Sequence, residues 1–437
     1  MEWYAAAAVL IGLIIGMMAL GVPVAVAFMA TNMIGTLVFI GGLAGMTQVV
    51  DNSTALITTF QLVPVPLFIL MGSLFFYSGL AVRVFDALDK LFGRLPGRLC
   101  YLTVAGGATF STMTGSSMAN TAMLGSLMVP EMQRRGYNWR MSLGPILGTG
   151  GLAMIIPPSN LGVLLASVAS IDVGRLLVSG VVPGFLLALL YSGMIFTQVK
   201  LNPGSAPSYD VERSTARQKI RSVVVDILPM SLVVFMVIGS IIFGIATPSE
   251  ASAFGVLGVL VLAAAFRLLT KEAIRKSLES TIKVGGMVFF IIINSSVFSQ
   301  LVAYSGASSG LLGWVTSFEL STVAMLLCMF TVLLLLGMFM DPVSMILISV
   351  PIFVPIVSYL KIDLVWFGLF TLLALEMSQT TPPFGLLLYI MLGVAPRGTT
   401  LFQVARAAFP FLICDAILIA LLIMFPAIAL YLPNLMR

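Results

Sequence analysis

The chain has 437 residues, 59% of them hydrophobic and only 9% charged, with a mean hydropathy of +1.11 and a net charge of +5. That excludes a soluble globular protein, and apolar stretches of spanning length recur from end to end, so the chain reads as an all-α polytopic membrane protein embedded in a lipid bilayer. Histidine is absent, which excludes Ser–His catalysis, a histidine proton relay and imidazole-bound metal, and no GxxxxGK[ST] phosphate loop is present.

The first span covers about residues 3–21 and, lacking a small-residue cleavage site, is expected to stay in the protein. Gly21-Val22-Pro23 turns the chain into a second span ending near Leu43, and the more polar 41–59, with Asp51, Asn52 and Ser53, is placed at an interface. A third span, 62–80, opens with Pro64 and Pro66. In 81–98, Arg83, Asp86, Asp89, Lys90 and Arg94 alternate with Val84, Phe85, Leu88 and Leu91, the pattern of an amphipathic surface helix. Residues 99–130 are apolar but split by Ser111-Thr112-Met113-Thr114-Gly115-Ser116-Ser117, and neither half can comfortably cross ~30 Å of hydrocarbon. This predicts a re-entrant helical hairpin with Thr114, Gly115 and Ser116 at its tip. Residues 141–171 form a long span broken at Pro157-Pro158-Ser159-Asn160, and 173–199 form another. After a soluble-looking linker, 201–222, come spans at 223–245 and 251–269, a charged amphipathic segment, 271–283, and a span at 284–303. Residues 320–359 repeat the hairpin pattern, interrupted at Met338-Phe339-Met340-Asp341-Pro342. Residues 364–395 are broken at Ser378-Gln379-Thr380-Thr381-Pro382-Pro383, and a last span covers 409–432. Cys100, Cys328 and Cys414 sit in apolar surroundings without paired spacing and read as packing residues.

The halves repeat. Pro23 and Pro248, Pro130 and Pro355, Pro157 and Pro382, and Pro158 and Pro383 all stand 225 residues apart. The domain reading is a first repeat at 1–200, a linker at 201–222 and a second repeat at 223–437. Each half makes five crossings, an odd number, so the second is expected to be inverted. Placing 81–98, 131–140, the linker with Lys200, 267–283 and 396–408 in the cytoplasm puts 19 of the 22 Lys and Arg on that side. The positive-inside rule then orients the chain with both termini in the periplasm, in a bacterial inner membrane. Inverted repeats with opposed hairpins and broken helices are transporter architecture, because backbone leaves a helix inside lipid only where protein or a water-filled cavity covers it.

The residues that could carry substrate and ion binding lie at these breaks. They are Thr114, Gly115, Ser116, Ser117, Pro157, Pro158, Ser159, Asn160, Met340, Asp341, Ser378, Gln379, Thr380, Thr381 and Pro382. Hydroxyls and freed carbonyls suit a hard cation, and Ser116, Ser117, Asp341 and Thr380 are assigned to Na⁺ as coupling ion; no cofactor is expected. Each has a plainer explanation. Serine and aspartate at the tips also cap the returning half-helices, and prolines with flanking hydroxyls also make kinks. Glu250, in Thr247-Pro248-Ser249-Glu250, reads as a capping box. Glu376 and Asp415 fall inside spans and read as paired or hydrogen-bonded structure, with ion coupling as the alternative.

The run TGSSMANTAMLGSLMVPEMQRRGY (114–137), IIPPS (155–159), TPSEASAFGVL (247–257) and QTTPPFGLLLYIM (379–391) together resemble the large membrane (DctM-type) subunit of tripartite ATP-independent periplasmic (TRAP) transporters. The resemblance spans essentially the whole chain. It departs where the family more often has serine–glycine–serine–serine; here Thr114 precedes Gly115, which keeps a hydroxyl. The resemblance implies an elevator-type transporter in which hairpins and broken helices carry an organic acid (a C4-dicarboxylate, keto acid or sialic acid) with Na⁺. It also implies a smaller membrane subunit, here a separate polypeptide, and a periplasmic binding protein that delivers substrate. The rival readings are a stand-alone sodium–dicarboxylate symporter and, in another class, a membrane-embedded enzyme. The missing histidine and the lack of a Ser/Lys pair in one span argue against the enzyme.

Overall fold

The computed structural model describes residues 2–92, 95–207, 215–383 and 385–436, without the side chains of Leu43, Gln61, Met113 and Thr114. Among the described residues the chain is helical, with no strand. That follows from the sequence: in hydrocarbon only a helix satisfies every backbone group within its own segment. Turns fall where glycine or proline permits. α1 (Trp3–Ala19) ends near Gly21, and Pro23 precedes α2 (Val24–Phe39) and then α3 (Leu43–Ile57). α4 (Pro64–Tyr77) bends by 63° at Gly79 into α5 (Leu80–Leu91), whose Leu80, Ala81, Val84 and Phe85 are buried. The first hairpin is α6 (Arg98–Thr114) and α7 (Ser117–Arg134); α8 (Trp139–Ile155) and α9 (Asn160–Val168) form the broken helix, bent by 43°. α10 (Val173–Ser179) and α11 (Val181–Leu201) follow. α12 (Ala216–Ser222) continues through a π-helical turn, Val223–Ile227, into α13 (Leu228–Ile242).

The second series matches the first. α14 (Pro248–Ala265) corresponds to α2; α15 (Lys271–Tyr304) and α16 (Ala307–Thr316), joined at Gly306, correspond to α4 and α5, joined at Gly79. α17 (Thr322–Gly337) and α18 (Pro342–Tyr359) are the second hairpin, α19 (Leu364–Gln379) and α20 (Leu386–Val394) the second broken helix, and α21 (Leu401–Met424) and α22 (Ala427–Leu435) close the chain. Ser117 and Pro342, and Trp139 and Leu364, begin equivalent helices 225 residues apart.

Two boundaries differ from expectation. The amphipathic segment 271–283 and the span after it are one 34-residue helix. No proline falls between them, as Pro64 does in the first half, and Lys276–Glu272 (2.7 Å) and Arg275–Glu279 (3.6 Å) prop its exposed first turns. The last span starts earlier, at Leu401, because Thr400 and Gln403 form a capping box, and it divides at Pro426.

The helices assemble into two groups. In one, α4 packs against α14 and α15, α2 against α1 and α15, and α13 against α14. The other centres on α8, which touches α6, α7, α11, α19, α20 and α21. Lipid is as apolar as a leucine side chain, so close backbone approach rather than hydrophobicity holds such a group together. α8 supplies that approach through glycine. A Cβ at Gly144 or Gly148 would strike Phe411, one at Gly150 would strike Thr121, and one at Gly151 would lie inside the Glu376 carboxylate.

The two halves meet at equivalent positions. Met154 Sδ lies 3.6 Å from Gln379 Nε2, Tyr191 Oη 2.5 Å from Asp415 Oδ1 and Leu190 O 3.7 Å from Cys414 Sγ, pairs 225, 224 and 224 residues apart. Contacts between residues one repeat apart mark a two-fold pseudo-axis running between α8 and α19. Reciprocally, α7 packs on α20 and α18 on α9, so each hairpin braces the broken helix of the other half.

Candidate functional site

At the first tip, α6 stops at Gly115, which takes the left-handed conformation (φ +57°), and Ser116 (φ −128°) starts α7. Ser116 Oγ accepts from the Ala119 N–H at 3.4 Å. Gly115 O accepts from the Asn160 N–H at 3.4 Å, and a Cβ on Gly115 would fall 2.8 Å from Pro158 O. The tip therefore sits on the first break, and glycine is required there both by its backbone conformation and by the approach. At that break Pro157–Pro158 is a cis peptide, and Ser159 caps α9, its Oγ accepting from the Gly162 N–H at 3.0 Å. Pro157, Pro158 and Ser159 are buried.

Behind this tip lies a polar seam of which the sequence reading named Ser117 but missed Asn120 and Thr121. Asn120 Nδ2 reaches Ser111 Oγ (3.0 Å), Thr149 O (3.2 Å) and Gly107 O (3.3 Å), tying α7 to α6 and α8. Ser117 Oγ, Asn120 Oδ1 and Thr121 Oγ1 are buried without a hydrogen-bond partner. A buried oxygen left unpaired is costly, and this seam of lone pairs is chemically suited to a cation. The signal was present in Met118-Ala119-Asn120-Thr121: an amide and a hydroxyl inside a membrane helix.

The second tip is built differently. Asp341 caps α18, with Oδ2 accepting from the Val343 N–H (3.0 Å) and the Ser344 N–H (3.3 Å), and Oδ1 accepting from the Ser344 hydroxyl. Its hydrogen bonds all stay within its own first turn. Met340 is half-buried. The tip backs onto its own half's broken helix, since a Cβ at Gly337 would overlap the Ser378 side chain. Ser378 Oγ donates to Leu375 O (2.6 Å), and the Thr380 (3.1 Å) and Thr381 (2.6 Å) hydroxyls both donate to Met377 O, relieving the end of α19. Pro382–Pro383, also cis, is exposed, unlike its buried counterpart. Gln379 Nε2 meets Met154 Sδ while its Oε1 has no partner.

The structure thus brings together Gly115, Pro158 and Asn160 at one break, and Gly337 with Ser378 at the other; the Met154–Gln379 contact links the two broken helices. The side chain of Thr114 lies outside the described residues. Four helix N-termini, of α7, α9, α18 and α20, open at these breaks and carry partial positive charge, while the C-termini of α6, α8, α17 and α19 offer carbonyls. Three of those N-termini are capped by Ser116, Ser159 and Asp341; α20, preceded by Gly385, has no side-chain cap. Among the described residues no group of three His, Cys, Asp or Glu could hold a metal ion. A cation here would be held by hydroxyl, amide and carbonyl oxygens.

Paired re-entrant hairpins, each against a discontinuous helix near a two-fold pseudo-axis, define a helical secondary transporter. The profile of the family described as "Tripartite ATP-independent periplasmic transporter, DctM component" matches residues 11–428. The chain belongs to this family. It is 32% identical to the C4-dicarboxylate TRAP transporter large permease protein DctM of Rhodobacter capsulatus, across 98% of this chain and 99% of that protein. It is 27% identical to the ectoine TRAP transporter large permease protein TeaC of Halomonas elongata, across 98% and 99%. Among solved structures, the Alcanivorax borkumensis YdaH transporter shares the fold at a TM-score of 0.63 and 15% identity, over 92% of this chain and 98% of that one.

Proposed function

We propose that this large permease subunit takes up an organic acid together with Na⁺, working with a small membrane subunit and a periplasmic binding protein. The observation that carries the reading is the pairing of buried, unpartnered oxygens (Ser117, Asn120, Thr121) with helix N-termini at the same breaks. The oxygens suit a hard cation, and the uncapped start of α20 suits a carboxylate. The relatives' names span C4-dicarboxylates and ectoine; both carry carboxylate groups, so the shared feature of the substrate class is a carboxylate. The two helix groups support an elevator movement, with the α8-centred group and its hairpins sliding against α1–α4 and α13–α16.

The test is uptake by proteoliposomes containing this chain and the small subunit, with binding protein and radiolabelled organic acid outside. A Na⁺ gradient should drive accumulation and a pH gradient alone should not. Uptake that ignores Na⁺ would sink the coupling reading. Full uptake by this chain alone would point to a stand-alone symporter.

A further inference from the structure

Away from the hairpin tips, three polar side chains from three helices converge in the α8-centred group. Tyr191 of α11 is fully buried, and Glu376 of α19 and Asp415 of α21 are each 2% exposed. Tyr191 Oη lies 2.5 Å from Asp415 Oδ1 and 3.2 Å from Glu376 Oε1. Neither carboxylate forms an ion pair with Lys or Arg among the described residues, and Glu376 Oε2 is buried with no hydrogen-bond partner at all.

Counting hydrogens shows what is missing. Three oxygens in a row need two hydrogens between them, and the phenol supplies one. The short contact assigns that hydrogen to Asp415. Glu376 Oε1 would then face a phenol lone pair at hydrogen-bonding distance, with its second oxygen unpaired and a second negative charge close by in a low-dielectric interior. Such an arrangement is unfavourable on every count. One added proton resolves it: Glu376 O–H donates to Tyr191 Oη, Tyr191 O–H donates to Asp415, and a single negative charge remains on Asp415.

We propose that Glu376, Tyr191 and Asp415 form a buried proton-binding site that holds one proton between the two carboxylates. Its surroundings leave few competitors. Among the described residues, the one other titratable group facing the cluster is the Cys414 thiol, which turns to Pro410 O (3.5 Å) and Leu190 O (3.7 Å). α8, packed against all three helices, presents Gly148 and Gly151 here, and its Arg140 is exposed in the first turn. Lys200 and Arg406 sit nine residues along α11 and α21, about 13 Å of helix away. On the other neighbouring helices, Arg98 pairs with Asp89, Arg175 reaches Asn434, and Cys100 bonds to Met141 O. Glu376 also lies one turn before Gln379, which contacts Met154 beside the first break. Loss of the proton would place two like charges at the crossing of α8, α19 and α21, directly beside both discontinuities.

Infrared spectroscopy of the purified full chain in lipid bilayers reads the proton without requiring transport. Near neutral pH the parent should show a carboxylic-acid C=O band that shifts in D₂O. Glu376→Gln keeps a donor toward Tyr191 and should abolish the band, while Tyr191→Phe should displace it. No such band in the parent, or a band untouched by both substitutions, overturns the proposal. If Glu376→Gln fails to fold, the parent spectrum and Tyr191→Phe still decide. In proteoliposomes with the partner proteins, Na⁺-driven uptake by the parent should fall as pH rises while that of Glu376→Gln stays flat. A parallel fall in both would overturn the assignment of this pH dependence to the Glu376 proton. Absence of uptake in every sample speaks against the transport assignment, and the infrared band alone then decides the proton site.

Discussion

At the scale of single residues, the packing of α8 depends on atoms that are absent. Gly151→Ala would push a methyl into the Glu376 carboxylate, on a helix whose Gly150 already abuts Thr121 and whose Gly148 abuts Phe411. Overpacking of this kind costs about 1–3 kcal/mol. Gly12→Ala, on a stretch of α1 with nothing within 4 Å, should be neutral or slightly stabilising. Thermal unfolding in detergent should separate the two; equal melting temperatures would deny α8 its central role. Asn120→Ala removes three hydrogen-bond contacts of its amide. The NH₂ has two hydrogens, so at about 0.6 kcal/mol per interhelical bond in a bilayer the loss is about 1 kcal/mol. Because Asn120 Oδ1 is also one of the oxygens of the proposed cation seam, Na⁺ protection of the unfolding transition should disappear in the variant. The chemistry of the tips was legible as residue types, since polar side chains stand out in an apolar membrane segment. The cluster of Tyr191, Glu376 and Asp415 was not. Its members lie on three helices far apart in sequence, and only the folded crossing brings them within hydrogen-bonding distance.

The hairpins and broken helices are elements whose ends matter more than their middles. Proline spacing revealed the repeat: Pro157-Pro158 and Pro382-Pro383 fall at the breaks and Pro23 and Pro248 at helix starts, where a missing N–H costs little, while Pro130 and Pro355 lie inside α7 and α18. The same logic explains the misread boundaries. Pro64 separates α3 from α4, whereas nothing comparable interrupts α15, and charge alone made its first turns look like a separate surface helix. Local sequence also could not separate capping from ligation at Asp341. The folded geometry shows capping, with two backbone N–H groups and the Ser344 hydroxyl on one carboxylate. Asn caps as well as Asp, and alanine does not. Asp341→Asn should therefore retain thermal stability, whereas Asp341→Ala should lose about 1 kcal/mol. Uptake distinguishes the roles. If the charge serves Na⁺ as well as the cap, Asp341→Asn loses Na⁺-driven uptake despite its intact fold; an unimpaired Asn variant assigns Asp341 to the cap alone.

On the scale of the whole molecule, orientation and movement can both be read with engineered cysteines. The distribution of basic residues predicts that both termini lie in the periplasm. In a Cys328→Ser background, which removes the exposed native thiol, Gly204→Cys should react only from the cytoplasmic side and Leu435→Cys only from the periplasmic side. Opposite labelling would invert the molecule. Movement can be tested where the two helix groups touch. α10 packs on α19 and α11 of the α8-centred group, α13 belongs to the other, and a Cβ built on Gly174 would lie 3.1 Å from Ile241 Cγ2. Cγ2 is one bond from Cβ, so the two Cβ atoms stand no more than about 4.6 Å apart, at the upper end of the range a disulfide spans. An elevator must slide these surfaces past each other, because the binding site at the breaks travels with one group while the other stays fixed in the bilayer. A transporter that opened only by local hairpin motion would leave α10 and α13 in contact throughout. The doubly substituted protein, Gly174→Cys with Ile241→Cys, should therefore lose uptake when oxidised and recover it on reduction, while each single variant remains active under both conditions. Full uptake by the oxidised double variant, with the cross-link verified by mass spectrometry, would exclude sliding at this interface and confine the transport motion to the hairpins.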